Sequence, residues 1–286
     1  MLTVCVCTFR RPHLTETLRS LGAQTREADR VVVIDNDDAP SARERAEAAA
    51  AEAGLTLSYV HAPARDLSLA RNAALDAAPT GLLALLDDDE TAPPGWLRGM
   101  TAALRPGLAA VIGPSRAVYP DDAPDWMREA EPHSQLPPKL RGRLRVGHTA
   151  NCLIDRDHPV MASLRFDPRF GRTGGEDADY FARGFALGAR YDYAEAEVLE
   201  PVTAERMAWN WLEARRRRAG QVYLMSLPWP RAALTTALAP AKAAVWQAKA
   251  ATAGDEAARN TALLRRAFNL GVLDQARGAS PEQHYG

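Results

Sequence analysis

The sequence predicts an α/β fold: a mostly parallel, Rossmann-like central sheet with helices on both faces, followed by a helical C-terminal extension. Three observations predict it. Short apolar runs alternate with stretches of helical periodicity through the first 113 residues, the pattern of repeated strand–helix–strand units. Runs such as Leu82-Leu83-Ala84-Leu85-Leu86 are apolar throughout, as strands buried on both faces must be. From Arg206 to about Ala276 the chain is rich in Ala and Arg and shows no strand-like alternation.

Each element has its own signal. Leu2 to Val6 reads as the first strand, Thr8 to Pro12 as a loop, and Leu14, Leu18 and Leu21 as one face of a helix. Arg30 to Ile34 is a second strand ending at Asp35. A helix then starts at Ser41, with Glu44 three residues on completing a capping box, and stops near Gly54. Leu57 to Val60 is the third strand; Ser68 caps a helix that Pro79 ends. Leu82 to Leu86 is the fourth strand, a helix follows from Pro94, and Ala109 to Gly113 is the fifth strand. Tyr119 to Leu140 is proline-rich and reads as a flap or acceptor-side loop. A strand returns at Thr149 to Ile154, and Gly174-Gly175-Glu176-Asp177 opens a helix running to Gly188. Short strands at Arg190–Tyr193 and Glu197–Leu199 precede the helical extension, and the tail after Gly278 reads as frayed.

Composition excludes several classes. Lys+Arg 35 against Asp+Glu 36 leaves no global field to attract nucleic acid or an anionic membrane. Three cysteines make no disulfide framework; Cys5 and Cys7 share one strand face and suit a reducing cytoplasm. No signal-peptide pattern precedes the first strand, and no segment reaches the ~20 apolar residues of a membrane span. The expected location is therefore cytoplasmic, with a peripheral position at the inner face of the membrane left open.

The chemistry concentrates at strand ends. Asp87-Asp88-Asp89 and Glu90 close the fourth strand, where ligands of open α/β sheets gather. Adjacent carboxylates repel one another unless a cation sits among them, and a divalent metal bridging a substrate's phosphates is a natural partner. Alone, the same turn equally reads as a solvated acidic loop. Asp35 ends the second strand near Thr8 and Arg10, where a carboxylate can accept from a nucleobase or ribose hydroxyl, or can simply serve a polar turn. Arg71 lies in the first turns of the helix from Ser68 and can neutralise a diphosphate or face water. Neither a dinucleotide fingerprint nor a P-loop follows the first strand.

In order, Thr3 to Pro12, Val32-Val33-Ile34-Asp35-Asn36, Ala70-Arg71-Asn72-Ala73, Leu86 to Glu90 and Gly174 to Asp177 resemble the motifs of family 2 glycosyltransferases with the GT-A fold. The resemblance covers residues 1 to about 206, and 165–206 is similar to bacterial members that build surface glycans. It implies a catalytic domain over 1–205, with 1–113 as nucleotide-sugar-binding half and 114–205 as acceptor half. It also implies inverting transfer from a nucleotide-diphosphate sugar, usually uridine-linked, with Mn²⁺ or Mg²⁺. By the same resemblance Asp35 contacts the base, Arg71 lies near base and phosphate, and Asp87 and Asp89 serve ribose and metal. Asp88 fills the motif's variable position; Asp177 is the general base, with Glu176 beside it. One departure is Pro201, where many relatives carry a histidine after the residue matching Glu200; His148 and His158 are the nearest substitutes.

The extension, 206–286, carries Trp209, Trp211, Arg215 to Arg218, Trp229 and Trp246. Such residues can lie on an anionic leaflet, meet the pyrophosphate of a lipid-linked acceptor, or pack on the catalytic domain. Arginines also bind RNA, but no recognition module accompanies them, so nucleic acid is not an expected partner. The expected partners are a nucleotide-sugar donor and a glycan or lipid-linked acceptor. Two other functions fit the same carboxylates: a metal-dependent sugar nucleotidyltransferase, which would want a glycine-rich basic loop that is missing, and a non-catalytic sugar-nucleotide or glycan-binding subunit.

Overall fold

Strand β1 (Leu2–Thr8) is an interior strand of the main sheet. The computed structural model describes residues 1–137 and 144–281 of the chain. Along β1, Val4 and Val6 point to one face of the sheet and Cys5 and Cys7 to the other, as the two-residue strand period requires. Its neighbours are β2 (Arg30–Asp35) and β4 (Leu82–Asp87), both parallel to it. With β3 (Leu57–His61), β5 (Ala110–Ile112), β7 (Asn151–Asp155) and β8 (Tyr191–Tyr193) they form a seven-stranded sheet of order β3-β2-β1-β4-β7-β5-β8. β7 runs against β4 and β5, so the sheet is mixed at that point and parallel elsewhere. A second, two-stranded sheet pairs β6 (Ser115–Val118) with β9 (Val198–Pro201) in parallel.

Helices α1 (Leu14–Gly22), α2 (Arg43–Glu52) and α4 (Trp96–Ala103) cover the Val4 face through Leu14, Leu18, Ala46, Leu97 and Met100. The other face carries α3 (Leu67–Ala77), α6 (Pro159–Ser163) and α7 (Glu176–Ala186), packed through Ala74, Leu75, Met161, Tyr180 and Phe181. Burial pushes the Cys7 thiol up to about 12, and Cys5 and Cys152 are raised for the same reason. The cysteines are core side chains.

Both expected serine caps are corrected by nearby aspartates. Ser41 Oγ donates to Asp37, and the Ala42 N–H at the head of α2 goes to Asp35 instead. At α3 the cap is Asp66, which accepts from Leu69 N at 2.9 Å, while Ser68 Oγ donates to the Asp167 carbonyl. Residues 119–137 are also less loop-like than expected. They contain α5 (Asp125–Ala130), whose Trp126 and Met127 pack with Leu212 and Leu264 of the C-terminal helices. The expected loop's last residues, 138–140, lie outside the described residues, as does 282–286 of the tail.

Among the described residues the extension comprises four helices: α8 (Ala204–Met207), α9 (Trp209–Met225), α10 (Trp229–Ala251) and α11 (Glu256–Ala276). The expected boundary at 205/206 falls inside α8. α9 and α11 cross closely enough that a Cβ at Gly271 would sit 1.8 Å from the Arg217 carbonyl oxygen. α10 packs chiefly on α11. Among the described residues no helix is long and apolar enough to cross a membrane.

Candidate active site

A cleft of about 750 Å³ opens at the carboxyl ends of β1, β2 and β4, and α8 and α9 close it from the other side. Asp87 and Asp89, at the end of β4, both line it. Asp88 lines it as well, and both it and Glu90 are also engaged in the protein. Asp88 accepts from Thr8 Oγ1 at 2.6 Å and from Phe9 N at 3.4 Å, and burial pushes its pKa to about 7. Glu90 is buried, receives the Ser115 hydroxyl, and is raised well above the carboxylate range, by burial first.

Arginines take up the remaining charge. Arg71, buried in α3, is ion-paired with Glu176 and lies 3.5 Å from Asp87 Oδ1. Desolvation raises the Asp87 pKa; Arg71 opposes the shift, and the charges of Asp89 and Asp177 add to it. Arg206 Nη2 is 2.9 Å from Asp89 Oδ2, and its Nη1 bonds Glu200, so one guanidinium joins the two carboxylates. Burial first, then the Asp89 charge, raises Glu200.

The expected base-contacting residue is placed differently. Asp35 is fully buried and does not line the cleft; its carboxylate accepts from Asp37 N at 3.0 Å, Ala42 N at 2.9 Å and the Tyr59 hydroxyl. Its neighbour Asn36 does line the cleft, and its Oδ1 is buried without a protein hydrogen bond. Arg10 lines the cleft too but grips Asp37 with two hydrogen bonds of 2.9 and 2.8 Å, holding that carboxyl well below its ordinary range.

Gly175 precedes α7 at φ +91°, and a Cβ there would sit 2.0 Å from Val222 Cγ1 of α9. Only glycine meets both constraints, and they tie the start of α7 to the C-terminal helices. Glu176 faces inward to Arg71. Asp177 points elsewhere, as adjacent helical residues do, and lines a second cleft of about 410 Å³ with His148. Gln135 and Arg215 line both clefts, so the two are contiguous. Burial lowers the His148 pKa to about 4, leaving a neutral imidazole beside Asp177.

Residues 3–166 match the family described as "Glycosyl transferase family 2". That is more than half of the chain. The chain belongs to glycosyl transferase family 2. It is a transferase with the GT-A fold. The matched segment carries Asp87 and Asp89 but stops short of Gly174-Gly175-Glu176-Asp177. A relative that spans the whole chain is "Succinoglycan biosynthesis protein ExoM" of Rhizobium meliloti (strain 1021), 40% identical over 295 residues, covering 100% of this chain and 96% of the relative. Among solved structures, the mannosyltransferase PcManGT of Pyrobaculum calidifontis, in complex with GDP-Man and Mn²⁺, superimposes with TM-score 0.65 at 20% identity, over 97% of this chain and 87% of that one. Residues 1–349 of S. aureus TarS, in complex with UDP-GlcNAc, superimpose with TM-score 0.55 at 12% identity, over 98% and 93%.

For this family 2 transferase the donor set at Asp89 and Glu200 suits a hard divalent cation. Both are carboxylates, and a cationic group already sits between them. Among the described residues no group of three or more His, Cys, Asp or Glu side chains could hold a metal by itself. Neither histidine raised from the sequence joins Asp89: His158 caps α6, accepting from Val160 N at 3.3 Å, and His148 lines the second cleft.

Sequence reasoning missed Asn36, Gln135 and Arg206 as lining residues. It left three roles open for the tryptophans and arginines of α9, and the structure divides these residues among different partners. Trp211, Arg215 and Arg218 are spaced 4 and 3 residues apart and share the helix face that lines the cleft. Arg216 instead donates to the Pro132 carbonyl, Arg217 pairs with Asp274, and Trp209 packs on Trp126. That spacing was the available signal.

Proposed function

We propose that this transferase moves a sugar, with inversion, from a nucleotide-diphosphate sugar to a hydroxyl of a growing bacterial surface glycan or lipid-linked oligosaccharide. The observation that carries the reading is the pair of contiguous clefts, one lined by Asp87 and Asp89 and the other by Asp177. A uridine-linked donor is the preferred class, and the kinship with a succinoglycan biosynthesis protein supports a polysaccharide product.

In this reading Asp87 holds the donor's ribose, and Asn36 meets the base on a turn that Asp35 organises. Asp88 and Thr8 fix the loop beneath the nucleotide. Arg71 and Arg215 balance the diphosphate charge, while Arg206 releases its carboxylates as the donor arrives. A Mn²⁺ or Mg²⁺ held by Asp89, with Glu200 alongside, would offset charge on the departing phosphate. Asp177 removes the acceptor hydroxyl's proton as that oxygen attacks the anomeric carbon opposite the leaving group. Glu176 positions Arg71. Residues 1–113 then form the donor half and 114–205 the acceptor half, and the 206–286 extension closes the donor cleft.

The full chain, Mn²⁺, labelled UDP- and GDP-sugars and a bacterial lipid extract provide the test. Release of nucleoside diphosphate is expected, together with a glycolipid whose new linkage has the opposite anomeric configuration to the donor by ¹H NMR. Retained configuration would contradict the inverting step. Exchange of sugar-1-phosphate with nucleoside triphosphate would make the chain a nucleotidyltransferase instead.

A further inference from the structure

Helix α10 packs chiefly on α11, and among the described residues one side of it is uncovered. Ala239, Ala243 and Ala250 are buried, and Ala232 packs with Leu224 and Val272. On the opposite side Leu234, Leu238 and Val245 are 61%, 44% and 53% exposed, and Trp229, at the helix's first position, is 79% exposed. At about 100° per residue, Leu234, Leu238 and Val245 fall in one stripe that Ala237, Ala241 and Ala248 widen. Large apolar side chains in a continuous exposed stripe mark a contact surface.

The charges name the partner. Trp229 to Ala251 contains no Asp or Glu. Its three charged residues, Arg231, Lys242 and Lys249, are 11 and 7 residues apart, and so follow one edge of the apolar stripe. An apolar face flanked by a row of cations is the make-up of a helix that lies in a bilayer interface. A second copy meeting this face across a twofold axis would bring the same cations together, whereas an anionic lipid surface neutralises them.

We infer that the outer face of α10 seats the protein on an anionic lipid surface, with Trp229, Leu234, Leu238 and Val245 in the interface and Arg231, Lys242 and Lys249 on the headgroups. This assignment differs from the sequence expectation. The arginine run of α9 serves the cleft and its neighbours, and Trp246 is half-buried between Lys249 and Arg265. The inference does not require the donor reading, since α10 lines neither cleft.

Vesicle co-sedimentation of the full chain tests it, comparing phosphatidylcholine alone with phosphatidylcholine containing 30% phosphatidylglycerol. Binding is expected only to the anionic vesicles and should weaken with salt. Leu234→Gln with Leu238→Gln should weaken it at least tenfold. Replacing Arg231, Lys242 and Lys249 by Gln together should weaken it by about 10²-fold. Circular dichroism and UDP binding, unchanged in these variants, separate this outcome from misfolding and from failure of the proposed function. Equal binding to both vesicle types would overturn the inference, as would anionic binding untouched by either set of substitutions. A wild-type dimer that ignores vesicles and dissociates on the Leu234/Leu238 change would make the face a self-interface instead.

Discussion

Asp177→Asn is expected to keep donor binding intact and to lose transfer by about 10²–10⁴-fold, the range for a positioned acid or base. Its carboxylate lines the second cleft and accepts a hydrogen bond from Ala178 N at 2.6 Å, leaving an oxygen for an acceptor proton. It lies close enough for its charge to be felt at Asp87, yet it is separate from the residues assigned to the nucleotide. Single-turnover kinetics beside UDP titration would read the two effects independently. Glu176→Gln should behave differently. Glu176 is buried against Arg71, and breaking a buried ion pair costs about 3–5 kcal/mol. That variant should therefore melt earlier and bind the donor less well. Near-normal turnover in Asp177→Asn, with loss confined to Glu176→Gln at unchanged stability, would reverse the assignment.

Asp89→Asn is expected to abolish metal-dependent stabilisation by a nucleoside diphosphate and to cut transfer by about 10²–10⁴-fold, the equivalent of several kcal/mol of charge stabilisation at 1.36 kcal/mol per decade. An amide keeps an oxygen donor but loses the charge that a hard divalent ion requires. The fold should survive, because Asp89 accepts no backbone hydrogen bond among the described residues and Arg206 retains Glu200. Calorimetric titration of Mn²⁺ with UDP checks this directly. Wild-type affinity in the variant would place the metal elsewhere, or place Arg206 in its role.

The core of the sheet was legible because strands such as β2 and β4 are apolar runs closed by polar turns. The end of β4 was legible for the same reason, since four acidic residues in a row close its apolar run at Leu86. Side-chain direction was not. Asp35 stands at a strand end, as expected, but it turns inward because the Asp37 and Ala42 N–H groups converge on it once the turn forms. Ser41 and Ser68 failed as caps through the same competition: Asp35 lies against the head of α2, and Asp66 precedes α3 by one residue. Charge runs mislead in the same way. Arg215 to Arg218 is one patch in sequence, yet a helix sends its members to the cleft, to the Pro132 carbonyl and to Asp274. Arg206 could not be tied to Asp89 from sequence, because 117 residues separate them.

Thermal denaturation of the full chain with UDP, GDP and their sugar conjugates, each with and without Mn²⁺, tests the central claim most directly. A ligand bound only by the native state stabilises it by about 2.7 kcal/mol at a hundredfold excess over Kd. The expected result is a saturable rise in Tm with a uridine nucleotide that depends on Mn²⁺ and disappears in Asp89→Asn. No rise with any nucleotide, or a rise that is the same without metal and in Asp89→Asn, would contradict it.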